Sequence, residues 1–189
     1  MAEMIQLQAI PGIGDARAWK KTKKKKYTIH WYVPNLGTEV YNKFEDAHYK
    51  TDVNKPIVLV GTQGEKWVID LNRFLNTYVV SGDPAALVEK LLNGTLTRAD
   101  SKRVFSADAK PDGPIYWAFR LPKKYMTQVA TSWGDVLTAN RPGIGHGIGD
   151  MILCADAGGT PNFNDMWVVN GLIFEATYNQ SAFKKVRKQ

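Results

Sequence analysis

His146 and Asp150 are the pair of side chains whose types and spacing come nearest to acid–base chemistry. A histidine titrates near neutral pH, and a neighbouring carboxylate orients its ring and favours its charged form. Alternating glycines disfavour the helix that would place the two side chains on one face. The histidine could act as a general base or metal ligand only if the fold brought a carboxylate close to it. The candidate carboxylates are Asp150, Asp156 and Asp165. The alternative interpretation is that Asp150 caps a turn by accepting backbone amides.

The loop around this pair carries glycine at four alternate positions, Gly143, Gly145, Gly147 and Gly149. It lacks the third glycine and following helix of the dinucleotide-binding fingerprint, and it lacks the Gly-Lys-Ser/Thr of a Walker loop. A flexible loop over a ligand pocket and a plain connection both remain open. In the ligand-binding alternative, the candidate residues are Gly145, His146, Gly147, Gly149 and Asp150.

Metal and disulfide chemistry have few candidate residues. Three His and one Cys in 189 residues nearly exclude a structural zinc site, and we expect no metal and no cofactor. Cys154 has no partner for an internal disulfide, which fits a reducing intracellular setting. It lies in an apolar run, where a buried, inert thiol is expected more often than a nucleophile. No apolar run reaches the ~20 residues of a membrane helix, and we expect no membrane contact.

Positive charge is the second chemical feature of the chain, with a net charge of +7. It concentrates in two tracts, at 20–26 and 184–188; without them, 15 basic residues face 18 acidic ones. A basic tract can bind the phosphates of nucleic acid, or it can simply keep the protein soluble. The candidate nucleic-acid-binding lysines are Lys20, Lys21, Lys23, Lys24, Lys25 and Lys26.

The glycine turn before the first tract resembles the hairpin of a helix-hairpin-helix DNA-binding element. Gly12, Ile13 and Gly14 follow Pro11, and the small residue Ala18 comes four positions after the turn. The resemblance implies that the glycines let the backbone approach a phosphate and that the amides of the next helix point at it. A loose N-terminal arm with a glycine turn is the alternative.

Two related modules are predicted to position these candidates. Residues 67–78 and 167–178 are identical at five of twelve positions, where composition predicts roughly one chance identity. This indicates an internal duplication. The repeated aromatic residues are interpreted as core, with a surface for stacking bases as the alternative.

Local patterns predict mostly strands with a few short helices. Asp83 as N-cap, Pro84 at the first position and Gly94 after the end indicate the clearest helix. Shorter helices are predicted at 43–49 and 71–78. Strands are predicted at 27–33, 57–60, 67–69, 115–121, 126–131, 136–139, 151–155 and 166–169. Residues 156–165 are predicted to be a loop, and 111–114 a turn.

These elements predict a β-rich α+β fold of two related small β modules joined by a short helix. The predicted segments are a basic N-terminal arm at 1–26, a first β module at 27–80, a helical linker at 81–110, a second β module at 111–180 and a basic tail at 181–189.

The second half, about 115–178, resembles the PGDYG family of short uncharacterised proteins common in phages and prophages. The matching residues are Thr131 with Gly134, Gly149 with Asp150, Trp167, and Phe174 with Thr177 and Tyr178. The first half matches less fully, at 24–26, 64–67 and 74–78, and lacks the Gly-Asp pair. The resemblance implies a phage or mobile-element origin, and it implies no established activity, catalytic residue or cofactor.

The sequence is best interpreted as a non-enzymatic, phage-type binding protein in the host cytoplasm. Its basic arm would contact nucleic-acid phosphates without reading sequence. A small enzyme or nucleotide-type ligand-binding protein that uses the loop at 143–150 is the first alternative. A virion or assembly component is the second. The sequence does not determine self-association.

Overall fold

The computed structural model describes residues 2–110 and 113–183. Within these ranges lie fourteen strands in four sheets and four short α-helices, which confirms the predicted β-rich α+β class. The chain folds as two compact units. Unit 1 comprises 1–25 and 113–189, and unit 2 comprises 26–112.

Strands are more numerous than helices along the chain. The strands are β1 (Glu3–Met4), β2 (Lys20–Thr22), β3 (Thr28–Tyr32), β4 (Glu39–Asn42), β5 (Ala47–Lys50), β6 (Ile57–Val60), β7 (Lys66–Ile69), β8 (Tyr78–Val80), β9 (Phe105–Ala109), β10 (Tyr116–Arg120), β11 (Tyr125–Ala130), β12 (Val136–Ala139), β13 (Met151–Asp156) and β14 (Pro161–Val169). The α-helices are α1 (Leu71–Thr77), α2 (Pro84–Leu92), α3 (Arg98–Lys102) and α4 (Gly171–Thr177), and short 3-10 helices occur at Leu7–Ala9, Ala16–Ala18 and Ser181–Phe183.

Unit 1 is built around an antiparallel sheet in the order β14-β13-β10-β2. Residues 151–154 of β13 are fully buried, because both faces of this strand are covered. One face packs against α4 through Phe174 and Tyr178. The other face packs with Val129 and Leu137 of the three-stranded sheet β1-β11-β12. The core of unit 1 therefore lies on both sides of β13.

The N-terminal segment 2–25 is part of unit 1, and the detached arm predicted at 1–26 is therefore wrong. β1 pairs in parallel with β11, and β2 pairs antiparallel with β10. Between these strands, four apolar side chains are buried: Leu7, Ile10, Ile13 and Trp19. The ring of Trp19 packs 5.6 Å from that of Phe119. Because these side chains belong to the core, the lysines that follow them extend from a fixed strand.

Unit 2 contains a five-stranded antiparallel sheet in the order β7-β6-β3-β9-β8, with the β4–β5 hairpin against β7. Its centre is Trp31, whose ring lies 5.5 Å from that of Phe74 and stacks 4.6 Å from that of Phe105. α2 adds Leu87, Val88 and Leu91 to the same core. The segment 81–110, predicted as a linker, therefore lies inside unit 2, where it supplies α2, α3 and β9.

The clearest predicted helix is present as α2. The carboxylate of Asp83 accepts the amide N–H of Ala86 at 3.0 Å, and Pro84 occupies the first position. Gly94 follows the helix with a φ of +73°, a left-handed conformation that glycine adopts without strain. Asp83, Pro84 and Gly94 therefore have the N-cap, first-position and helix-ending roles in α2 that the sequence predicted.

Both units contain the succession strand, strand, helix that the predicted duplication requires: β6-β7-α1 and β13-β14-α4. Trp67 lies opposite Leu59, and Trp167 lies opposite Leu153. α1 and α4 have seven residues each. After each helix, a tyrosine donates its backbone N–H to the carbonyl of a fully buried phenylalanine. The helix predicted at 71–78 is thereby confirmed.

Two local predictions are wrong. Residues 43–46 form a turn between β4 and β5, because the side chain of Asn42 accepts the amide of Phe44 and Asp46 adopts a φ of +51°. The loop predicted at 156–165 is shorter, since β14 begins at Pro161. Part of the turn predicted at 111–114 and most of the predicted basic tail, 184–189, lie outside the described residues.

Candidate nucleic-acid interface

The first half of the lysine tract is fixed by a β-ladder. Thr22 lies opposite Tyr116 and Lys20 opposite Ala118 in the antiparallel pair of β2 and β10. Thr22 is buried, and its hydroxyl donates to the carbonyl of Asn179 at 3.0 Å. Since neighbouring residues of a strand point to opposite faces, Lys20 lies on the same face as Thr22, and Lys21 lies on the other.

The second half of the tract is fixed by the chain that follows α4. The carbonyl of Lys23 accepts the amide of Asn179 at 2.8 Å, and Lys24 forms a β-bridge with Tyr178. Lys25 donates its Nζ to the carbonyl of Glu175 at 2.9 Å, near the end of α4. These contacts hold the backbone of the lysine tract in place, while Lys20, Lys21, Lys23 and Lys26 keep exposed side chains.

An open cleft of about 240 Å³ lies beside β2. Its lining residues are Lys21, Thr22, Lys23, Ile115, Asn179 and Ser181. Lys21 of β2 and Lys23, directly after the strand, both line the cleft and bring two positive charges to it. Two ammonium groups and a serine hydroxyl are donors that suit a phosphate group.

An aromatic ring lies next to this cleft. The Nζ of Lys21 is 5.2 Å from the centre of the Trp117 ring. Trp117 in turn donates its Nε1–H to Asp156 at 2.8 Å. The cation–π contact and the hydrogen bond restrict the lysine and the ring, which leaves an ordered basic and aromatic surface at this edge of the sheet.

The predicted glycine turn at Gly12, Ile13 and Gly14 has a different geometry from the one that its resemblance implies. The flanking helices are 3-10 helices of three residues each. Asp15 caps the second of them by accepting the amide of Arg17 at 3.0 Å, so a carboxylate occupies the place expected for a phosphate. Ile13 is buried and accepts the Nε1–H of Trp19 at 2.9 Å. The turn thus anchors the core of unit 1.

Asp150 lies at the end of the glycine loop, directly before β13, and is buried. Its two oxygens accept the backbone N–H groups of Asn140 at 2.7 Å and Gly171 at 2.9 Å. Burial raises its pKa above the ordinary value. The two hydrogen bonds favour the carboxylate and lower the pKa, but their effect is smaller than that of burial. The interpretation that Asp150 accepts backbone amides is confirmed.

The other loop candidates contact the start of α4. The Nδ1 of His146 lies 3.0 Å from the carbonyl of Ile144, and Asn170 donates its side-chain amide to the carbonyl of Gly145 at 2.8 Å. Gly149 and Gly147 take positive φ angles of 128° and 59°. The loop therefore follows the first turn of the helix closely. Ligand binding by Gly145, His146, Gly147, Gly149 and Asp150 stays a prediction.

Charge is divided unequally between the two units. Unit 1 contains 14 Lys and Arg and 7 Asp and Glu, whereas unit 2 contains 11 of each. The whole formal charge of +7 thus belongs to the unit that carries β2. The sequence reasoning missed this division, because it assigned residues 1–26 to neither module.

Three residues of the cleft escaped the sequence reasoning: Ile115, Asn179 and Ser181. They lie about 90 to 160 positions from β2 in the chain. No local pattern connects them to the lysines, because the cleft depends on the pairing of β2 with β10. The lysines were found because charge density is visible without knowledge of the fold.

No group of three metal-ligating His, Cys, Asp or Glu side chains occurs among residues 2–110 and 113–183. None of the helices in the described part of the chain has the length and hydropathy needed to cross a membrane. Comparisons of the chain with protein-family models, with curated proteins and with solved structures gave no match.

Proposed function

We propose that unit 1 binds nucleic acid through its phosphates at β2, in the cytoplasm of a phage-infected cell. The observation that carries this proposal is the cleft beside β2, which is lined by Lys21 of the strand and by Lys23 directly after it. The net charge of unit 1 supplies the long-range attraction for a polyanion. The phage setting rests on the PGDYG resemblance.

Binding of this kind is non-enzymatic and independent of base sequence. Lysine ammonium groups contact phosphate oxygens as point charges, and such contacts carry no direct information about bases. Each neutralised phosphate releases counterions, so the affinity falls as the salt concentration rises. Trp117 lies close enough to Lys21 for a base next to a bound phosphate to reach the ring.

The experiment compares two double variants of the full chain, each of which removes two positive charges from unit 1. Lys21→Gln with Lys23→Gln changes the cleft. Lys123→Gln with Lys124→Gln changes two exposed lysines between β10 and β11 and serves as the matched control. Binding to a labelled DNA duplex is measured by fluorescence anisotropy over a series of salt concentrations.

We expect the cleft variant to reduce the slope of log affinity against log salt by about 2, because each lost phosphate contact reduces it by about 0.9. The control should leave the slope almost unchanged. Equal losses in both variants would assign binding to net charge and contradict a site at β2. Unchanged binding in the cleft variant would contradict the proposal altogether.

Deletion of residues 1–26 is a poor test of this function. It removes Leu7, Ile10 and Trp19 from the core of unit 1 together with the lysines. A loss of binding in that variant would report the loss of folded structure as well as the loss of charge.

A further inference from the structure

Units 1 and 2 share a strand arrangement that extends beyond the duplicated residues. In unit 2, Leu59 of β6 lies between Trp31 of β3 and Trp67 of β7. In unit 1, Leu153 of β13 lies between Ala118 of β10 and Trp167 of β14. The β4–β5 hairpin lies in the chain between β3 and β6, and the β11–β12 hairpin lies between β10 and β13. β3 and β10 are therefore equivalent strands.

One further strand pairs with the other side of β3 and of β10. In unit 2 it is β9, which pairs with β3, and in unit 1 it is β2, which pairs with β10. The tyrosine after each helix marks the same end of this strand: Tyr78 lies opposite Ala109, and Tyr178 lies opposite Lys24. β9 and β2 thus occupy the same place in the two units.

One lysine in each unit, Lys110 and Lys25, makes the same contacts and supports this equivalence. The amide of Lys110 donates to the carbonyl of Thr77, and its Nζ donates to that of Leu75 at 3.0 Å. The amide of Lys25 donates to the carbonyl of Thr177, and its Nζ donates to that of Glu175 at 2.9 Å. Each lysine directly follows the residue that lies opposite the tyrosine, Ala109 in unit 2 and Lys24 in unit 1. The residues whose carbonyls accept from Lys25 lie 100 positions after those that accept from Lys110.

The order of the chain shows that these strands are exchanged. β2 comes directly before β3, and β9 comes directly before β10. Each strand leads its own repeat in the sequence, yet it pairs with the equivalent strand of the other repeat. The chain crosses between the units at 25–26 and at 112–113.

The composition of the connection between β2 and β3 favours crossing over a local hairpin. If β2 paired with β3 in the register that β9 uses, Thr22 would lie opposite Ile29 and Lys23 opposite Thr28, and the turn would contain three consecutive lysines, 24–26. Like charges in a tight loop repel one another, whereas an extended segment separates them.

We propose that the partner this arrangement fits is a second copy of the chain, with residues 2–25 of one copy completing unit 1 of the other. The segment buries Leu7, Ile10 and Trp19 in unit 1 and leaves it after Lys25. A second copy offers the same β10 edge and the same apolar surface. Exchange between copies therefore forms the same contacts without a new interface. The inference does not depend on nucleic-acid binding.

The test places a disulfide across β2 and β10 in the full chain. Lys20 and Ala118 are registered partners, and the variant Lys20→Cys with Ala118→Cys is unfolded, refolded at a series of protein concentrations and then oxidised. A bond within one chain gives a covalent monomer on a non-reducing gel, and a bond between chains gives a covalent dimer. Because dimer formation is bimolecular, the ratio of dimer to monomer should rise about tenfold for a tenfold higher concentration.

Three measurements serve as controls. The single variant Lys20→Cys should form no dimer beyond the background of random oxidation, since Cys154 is fully buried. His30→Cys with Ser106→Cys joins β3 to β9 and should crosslink within one chain at every concentration. Lys21→Cys with His30→Cys can crosslink within one chain only if β2 pairs with β3, and should not.

Covalent bonds confined to single chains at every concentration at which the protein refolds would overturn the proposal. A bond within one chain in Lys21→Cys with His30→Cys would also overturn it, because β2 would then pair inside its own repeat. The unmodified chain provides a measurement free of substitutions. Light scattering should detect a dimer after refolding at high concentration, and a purely monomeric chain would contradict the proposal.

Discussion

Asn140 and Asp150 are joined by a reciprocal pair of hydrogen bonds in unit 1. The amide of Asn140 donates to the carboxylate of Asp150 at 2.7 Å, and the amide of Asp150 donates to the side-chain carbonyl of Asn140 at 2.8 Å. Both residues are buried. Asp150 also accepts the amide of Gly171, so the pair connects the end of β12 to the starts of β13 and α4.

Loss of the Asp150 carboxylate should destabilise unit 1. Asp150→Ala leaves two buried amides without acceptors, and we expect the free energy of unfolding to fall by about 2–4 kcal/mol. Denaturant unfolding measures the effect, with Glu3→Ala at an exposed carboxylate of the same unit as control. Asn140→Ala combined with Asp150→Ala should cost less than the sum of the single variants. Additive losses would show that the pair is not coupled.

Glycine at position 171 should be essential for the contact between the loop and α4. A Cβ there would lie 2.1 Å from the carbonyl oxygen of His146 and 2.4 Å from that of Gly149, and both are backbone atoms. We expect Gly171→Ala to reduce the melting temperature strongly, with a loss of roughly 3 kcal/mol. Gly145→Ala is the control, because its Cβ would meet only Leu172 at 3.6 Å. Equal stability of the two variants would show that the loop moves freely away from the helix.

Cys154 should resist thiol reagents in the folded protein. The residue is fully buried, and burial raises the pKa of its thiol to about 12. Since the thiolate is the reactive form, at pH 8 its population should be lower by roughly three orders of magnitude than in the unfolded chain. A colorimetric thiol assay with and without denaturant measures the difference. Rapid labelling of the native protein would show that β13 opens readily.

Glu65 should make the stability of unit 2 depend on pH. The side chain is buried, and burial raises its pKa above the ordinary value of 4.5. The folded state therefore holds its proton to a higher pH than the unfolded state does. The free energy of unfolding consequently falls as the pH rises from about the ordinary value through the raised pKa.

Glu65→Gln should remove this dependence, since the amide does not titrate. The measurement is denaturant unfolding at a series of pH values upward from the ordinary value of 4.5, because the pKa of Glu65 is raised above it. Glu89→Gln, at an exposed glutamate, should keep the slope of the wild-type protein. A slope that persists in Glu65→Gln would assign the pH dependence to another group.

Much of the local structure could be predicted because it depends on neighbours in the sequence. Asp83 and Gly94 mark the ends of α2 by hydrogen bonding and backbone conformation, and both effects act within a few residues. The twelve-residue repeat predicted two equivalent segments, and α1 and α4 lie at the same place within them. The capping role of Asp150 was predicted because an aspartate in a turn commonly accepts backbone amides.

The candidate interface could be predicted only in part, because its cleft depends on distant pairing. Lys21 and Lys23 were visible from charge alone, whereas their neighbours Asn179 and Ser181 meet them only after α4 has packed on the sheet. The folded state of the N-terminal segment was missed for a related reason. Its buried residues are spread between short 3-10 helices, and they show neither the period of a strand nor that of an α-helix.

The crossed position of β2 and β9 has a consequence for how the gene can change. A deletion of either coding repeat would also remove a strand from the sheet that survives, either β2 from unit 1 or β9 from unit 2. Neither half can be lost or shuffled into another gene while the remaining one stays complete. Selection must therefore preserve both halves together, even while their sequences diverge as far as Lys20–Thr22 and Phe105–Ala109 have.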